Sequence, residues 1–131
     1  MIADDHPEVR NAWSLFLGAQ KDIEVVAVCT DGDEAIKAVA TFLPDIVLMD
    51  INMKKTSGID TTRKIATEYP SVKVIGLSFH SSVLYIKKMI DAGAKGYVIK
   101  HNVAEELPPA IQQVNEGKIY LDKEASEAFK N

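Results

Sequence analysis

The side chains that could do chemistry in this sequence are the adjacent Asp4 and Asp5, then Asp50, Ser78 and Lys100. Each stands at the end of an apolar run of the kind that forms a buried parallel strand: Met1–Asp4, Ile46–Met49, Val72–Leu77 and Gly96–Ile99. In a wound parallel sheet, functional side chains gather outside the carboxyl ends of the strands, near the point where strand order reverses. These residues are therefore expected to meet at one edge. Three carboxylates within roughly 5 Å repel one another by about 3 kcal/mol per pair at an effective dielectric near 20, so such a site requires a cation. Oxygen ligands, with no histidine or cysteine at ligand spacing, favour Mg²⁺, which also takes phosphate oxygens readily. Lys100 would add a fixed positive charge. Metal and lysine together would neutralise the equatorial oxygens of a phosphoryl group arriving at Asp50, and Ser78 could donate a hydrogen bond to one of them. Asp50 is then a nucleophile. Taken singly, Asp50 also reads as an ordinary strand-end carboxylate and Ser78 as a turn former. The order of the set along the chain carries the inference.

The elements that must position these residues follow from the alternation of apolar runs with amphipathic stretches, the pattern of repeated βα units around a mostly parallel sheet. A further strand is expected at Ile23–Cys29. The first helix starts at Pro7 or Glu8 and turns Val9, Trp13, Phe16, Leu17 and Gln20 to one side. Leu15 falls opposite, as a partner surface or as an isolated exposed leucine. Helices are predicted at Asp33–Phe42, stopped by Pro44, at Ile59–Tyr69 before Pro70, and at Ser82–Ala92 before Gly93. In the last of these, Val83, Leu84, Tyr85, Ile86, Met89 and Ile90 exceed one stripe, so either the buried face is broad or part of it meets solvent or a partner. Pro108-Pro109 predicts a break or late start in the fifth helix, whose body is marked by Ile111, Val114 and the Gly117 stop. Asp122 could cap a short helix over Lys123–Phe129.

With 131 residues, 47% of them hydrophobic and 26% charged, the chain has the size and composition of one globular domain. Its longest strongly apolar run, Val25–Cys29, is far short of a membrane span, and Asp4-Asp5 fall where a signal peptide would be apolar, so a cytoplasmic location is expected. A net charge of −4 with only the short pairs Lys54-Lys55 and Lys87-Lys88 argues against DNA binding by this chain alone. Cys29 is the single cysteine, which excludes an internal disulfide and suits a buried packing role.

Over essentially its full length the sequence resembles the receiver domain of two-component response regulators. The matching pieces are Ile2-Ala3-Asp4-Asp5-His6-Pro7, then Pro44 to Met53 with Asp50 inside it, Gly58-Ile59-Asp60, Ser78, and Ala92 to Lys100. The resemblance implies a flavodoxin-like (βα)5 three-layer sandwich with sheet order 2-1-3-4-5. It implies that Asp50 accepts a phosphoryl group from the phosphohistidine of a sensor histidine kinase, and that Asp5 and Asp50 bind Mg²⁺ directly. Asn52 would add its backbone carbonyl, and Asp4 would act through water. Ser78 and Tyr97 would form the switch, the hydroxyl swinging towards the phosphate and the aromatic moving inward behind it. Such a domain catalyses its own phosphorylation and loses the group slowly, without being a turnover enzyme.

Asp4-Asp5-His6-Pro7, Gly96 to Lys100 and Gly117-Lys118-Ile119-Tyr120-Leu121 resemble especially the subfamily that carries a helix-turn-helix output domain, absent here. The reading is a receiver over 1–121, with 122–131 a short C-terminal helix or the start of a linker. It is read as excised from a transcription regulator, with homodimerisation on phosphorylation possible. The sequence departs from the family at Lys54, where proline is common, at His101, and at Pro108-Pro109. Asn52 and His80 flank the expected phosphoryl position and are candidates for tuning its lifetime; His80 reads equally as a loop residue. The alternative is a pseudo-receiver that binds partners without phosphorylation. A flavin carrier would need a Ser/Thr/Gly-rich loop where Asp5-His6-Pro7 stands, and a phosphatase would need an acidic residue at Asn52.

Overall fold

The apolar runs do form one parallel sheet. A computed structural model describes residues 1–79 and 82–130. Its strands are β1 (Ile2–Ala3), β2 (Val28–Cys29), β3 (Ile46–Asp50), β4 (Lys73–Ser78), β5 (Gly96–Ile99) and β6 (Tyr120–Leu121). They lie in the order β2-β1-β3-β4-β5-β6 with every neighbouring pair parallel. This is the expected 2-1-3-4-5 flavodoxin-like arrangement, extended beyond β5 by a sixth strand that the sequence reading did not draw.

Side-chain alternation divides the interior into two cores. Along β3, Val47 and Met49 enter one and Ile46 and Leu48 the other. On β5, Tyr97 and Ile99 separate in the same way from Val98. The first core is covered by α2 (Gly32–Phe42), α3 (Gly58–Glu68), α4 (Val83–Asp91) and α6 (Lys123–Lys130), through Val39, Ile65, Met89 and Ala125. The second is covered by α1 (Pro7–Gly18) and α5 (Val103–Asn115), through Leu17, Leu107 and Val114. Each fully buried Val, Leu or Ile contributes about 1.5–3 kcal/mol, which holds helices this short in place where propensity alone would not.

The helix starts follow the sequence: Pro7 opens α1, and the side chains of Asp31, Ser57 and Ser82 accept hydrogen bonds from first-turn amides of α2, α3 and α4. Gly93 ends α4 at φ 110°, a conformation that favours glycine. On α1 the predicted inner face is at least half-buried, while Leu15 stands out in solvent. Val83 and Leu84 on α4 are also exposed, so part of its broad apolar surface does meet solvent.

Some expectations require correction. The strand drawn at Ile23–Cys29 pairs with β1 only over Val28–Cys29, with a further hydrogen bond from the Ile2 N–H to the Ala27 carbonyl at 3.1 Å. Ile23–Ala27 still alternates between half-buried and exposed residues, as an extended segment would. Val26 and Val28 are exposed on this edge of the sheet. The predicted break at Pro108-Pro109 does not occur: α5 runs unbroken from Val103 to Asn115. The amide hydrogens that the prolines lack would have gone to the carbonyls of Ala104 and Glu105, both exposed residues where water can substitute. A 3-10 turn at Lys100–Asn102 leads into this helix. No helix among the described residues is long and apolar enough to cross a membrane.

Candidate functional site

β1, β3 and β5 deliver Asp4, Asp50 and Lys100 to the carboxyl edge of the sheet, in step with Ile2, Leu48 and Val98 and so on the side of α1 and α5. Lys100 Nζ lies 3.2 Å from Asp4 Oδ2 and 3.3 Å from Asp50 Oδ1, and all three residues are buried. The Phe79 ring, with its centroid 5.5 Å from the ammonium, shields it from one side. One ammonium cannot neutralise two buried carboxylates and Asp5 beside them, so the site keeps a negative excess.

Asp50 is held through one of its two carboxylate oxygens. Its Oδ1 accepts a hydrogen bond from the Asn52 N–H at 3.0 Å, while Oδ2 is buried with no hydrogen-bond partner. Burial pushes the Asp50 carboxyl above its ordinary value, against the opposing pull of the Asn52 N–H and Lys100. Gly58, at the start of α3, makes this geometry possible: a Cβ there would lie 2.4 Å from the Asp50 carbonyl oxygen and 2.5 Å from Ile51 Cα.

Asp5 points into the same space. Its Oδ2 accepts from the Lys54 N–H at 2.7 Å, and its Oδ1 is buried without a hydrogen bond. Two buried carboxylate oxygens that accept no hydrogen bond and face one site suit a hard divalent cation. One ligand atom each from Asp4, Asp5, His6 and Asp50 lies within 4.8 Å of the others, so this group could hold a metal ion.

His6 corrects the expectation that no histidine stands at ligand distance. Its N–H donates to Asp4 Oδ1 at 2.9 Å, closing a tight turn that folds the ring back over the carboxylates. Its Nδ1 is then 3.0 Å from Asp4 Oδ1, 3.1 Å from Asp5 Oδ1 and 3.9 Å from Asp50 Oδ2. The one sequence signal for this was adjacency to the acid pair.

Ser78 ends β4 entirely buried, and its Oγ accepts from Asn52 Nδ2 at 3.2 Å. Behind it Tyr97 is wholly enclosed; burial pushes its hydroxyl up to about 12, and a hydrogen bond with Ser78 works in the opposite direction. The structure thus brings together Asp4, Asp5, Asp50, Asn52, Ser78, Tyr97 and Lys100. His80 lies outside the described residues. Cys29 is buried at the end of β2, as a packing residue would be.

Comparison with known proteins agrees with this arrangement. The family model described as the response regulator receiver domain matches residues 1–112. The oxygen regulatory protein NreC of Staphylococcus aureus is 39% identical over 132 residues, an alignment covering 100% of this chain and 61% of that protein. The chain therefore spans about three fifths of the length of the curated relatives it matches. A LuxR-family two-component response regulator from Aurantimonas sp. SI85-9A1 superposes with a TM-score of 0.95 at 29% identity, over 99% of this chain and 93% of that one. The isolated receiver (REC) domain of RcsB from Salmonella enterica serovar Typhimurium, in the presence of the phosphomimetic BeF3−, gives 0.87 at 25% identity, over 97% and 94%.

Proposed function

The chain belongs to the response regulator receiver domain family, and from that premise we propose that it is a phosphorylation-dependent switch whose phosphoacceptor is Asp50. The observation that carries the reading is the Asp50 carboxylate: buried, anchored through Oδ1 to Lys100 and the Asn52 N–H, with Oδ2 left without a hydrogen bond. A nucleophile needs one oxygen free and the other fixed, and this carboxylate has both.

The donor is a phosphohistidine on a sensor histidine kinase. An oxygen of Asp50 forms the new bond to phosphorus as the phosphorus–nitrogen bond breaks, and the departing imidazole keeps the electron pair and takes a proton. Mg²⁺ held by Asp5, Asp50 and the Asn52 carbonyl, with Asp4 acting through water, would neutralise charge on the phosphoryl oxygens. Lys100, 3.3 Å from Asp50 Oδ1, would supply a second positive charge to those oxygens. Ser78 exchanges its bond from Asn52 for one to a phosphoryl oxygen, and Tyr97, expected to move inward but already wholly buried behind Ser78, is the second switch residue, held in the inward position by the new bond. The new bonds bias the ends of β4 and β5 towards one of two arrangements. Asn52 and His80 set how readily water reaches the acyl phosphate, which decays slowly, so the domain does not turn over a substrate.

The output is transcription, through a helix-turn-helix domain outside this chain to which residues 122–131 lead, with homodimerisation of the phosphorylated form. The transcriptional output is supported by one structure similar to the chain, described as a DNA-binding response regulator of the LuxR family.

Intact mass after incubation with acetyl phosphate and Mg²⁺ tests the reading. One added phosphoryl group is expected, absent in Asp50→Asn and without metal. No addition to the native chain would favour a phosphorylation-independent interaction module.

A further inference from the structure

Asp122 takes no part in the phosphoryl chemistry, yet it is entirely buried and both of its carboxylate oxygens are bonded to backbone. Oδ2 accepts from the Ile99 N–H at 2.7 Å, and Oδ1 accepts from the Ala125 N–H at 2.8 Å in the first turn of α6. Its own N–H donates to the Tyr97 carbonyl at 3.2 Å. The pairing of β5 with β6 ends at Tyr97 opposite Leu121. The Asp122 carboxylate continues that ladder in place of backbone and satisfies the last amide of β5. The next residue is Lys100, whose ammonium stands 3.2 Å and 3.3 Å from Asp4 and Asp50. A second tie lies outside the first, where His101 Nε2 is 2.8 Å from Glu124 Oε2.

Capping α6 does not by itself call for this residue. A serine or asparagine starts a helix about as well, whereas a buried carboxylate costs stability unless its oxygens are satisfied. What the carboxylate adds is a second strong acceptor aimed at the strand that presents Lys100. We propose that Asp122 is a positioning residue for Lys100, and that through the same carboxylate the amino end of α6 moves with the end of β5. A displacement of Lys100 towards a phosphoryl group would then be felt at α6, the element that leads out of the domain. The second half of this inference rests on the phosphoryl chemistry proposed for Asp50.

The test uses Asp122→Ser, which keeps the cap but cannot span both amides, and Asp122→Asn, which keeps the shape but has a single acceptor oxygen, so that one of the two amides faces its NH2 group. In the metal-free protein, the NMR signal of the Lys100 side-chain ammonium should shift or broaden in both Asp122→Ser and Asp122→Asn. With Mg²⁺ and beryllofluoride, Asp122→Ser should bind the phosphoryl mimic about tenfold more weakly while its Mg²⁺ affinity stays unchanged, since Lys100 is not a metal ligand. Hydrogen exchange of the first α6 amides should respond to beryllofluoride in the native protein and not in Asp122→Ser. If Asp122→Ser does not fold, Asp122→Asn carries the same comparison. An unmoved Lys100 signal would overturn the positioning role. A native chain that ignores beryllofluoride while its Lys100 signal still depends on Asp122 would sink the reading of Asp50 and the coupling to α6, and leave the positioning role standing.

Discussion

Ionising Asp50 costs the folded chain stability, because burial raises its carboxyl above the ordinary value of 3.8. A carboxyl raised in this way binds its proton more tightly in the folded state than in the unfolded one. Its contribution is therefore fully present below about pH 4 and is lost as pH rises through the folded value. In calorimetry of the metal-free protein, Asp50→Asn should melt higher than the native chain at pH 7, with the gain shrinking towards pH 4. Added Mg²⁺ should raise the native midpoint and leave that of Asp50→Asn nearly unmoved. Lys54 shows how a departure from the family pattern can carry chemistry through its backbone. Its N–H holds Asp5 Oδ2 at 2.7 Å, and a proline there would have no hydrogen to donate. Lys54→Pro should weaken Mg²⁺ binding by roughly threefold to tenfold in a calorimetric titration, the effect of losing about one orienting hydrogen bond. The acid pair, Asp50, Ser78 and Lys100 were legible because strand ends announce themselves in apolar runs. The His6 ring and the Lys54 amide were not, since each depends on the path of a loop and not on any periodicity.

Among the elements, α5 is where local rule and tertiary structure disagree most. Two prolines interrupt its hydrogen bonding, yet the buried Leu107, Ala110 and Val114 keep it continuous against the sheet. Packing wins because each buried side chain contributes about as much as an interior proline costs. Pro109→Ala should then stabilise the chain by about 1–2 kcal/mol in urea unfolding, less than the full proline penalty because the unfolded chain also gains freedom. The other helices could be read from caps, stops and stripes, down to the exposed side of α1 that carries Leu15. Neither β6 nor the true extent of β2 could be. Tyr120–Leu121 is too short for a period to show, and it is a strand only because β5 offers it an edge. Ile23–Val26 has the composition of a strand but is not paired with β1, whose first hydrogen bond to this segment runs from the Ile2 N–H to the Ala27 carbonyl at 3.1 Å.

At the scale of the whole molecule, stability is unevenly spread. β3 and β4 lie at the centre of the sheet with both cores against them, while β2 closes one side with two paired residues. Native-state hydrogen exchange should therefore find the amides of Glu24–Val26 exchanging at least about a thousandfold faster than those of Val47, Leu48 and Ile75. Comparable protection in the two groups would mean that the edge is covered in solution. The two-core layout was legible from the alternation of apolar runs; the weak margin was not, because it arises from how few residues β1 and β2 share. That margin also has a practical side. Unpaired backbone beside exposed Val26 and Val28, with Phe42 and Leu43 exposed at the end of α2, is the kind of surface on which chains of many proteins begin to adhere. Concentrated stocks should lose monodispersity there first, and Val26→Lys, far from the phosphoryl site, is the least intrusive way to keep them clear.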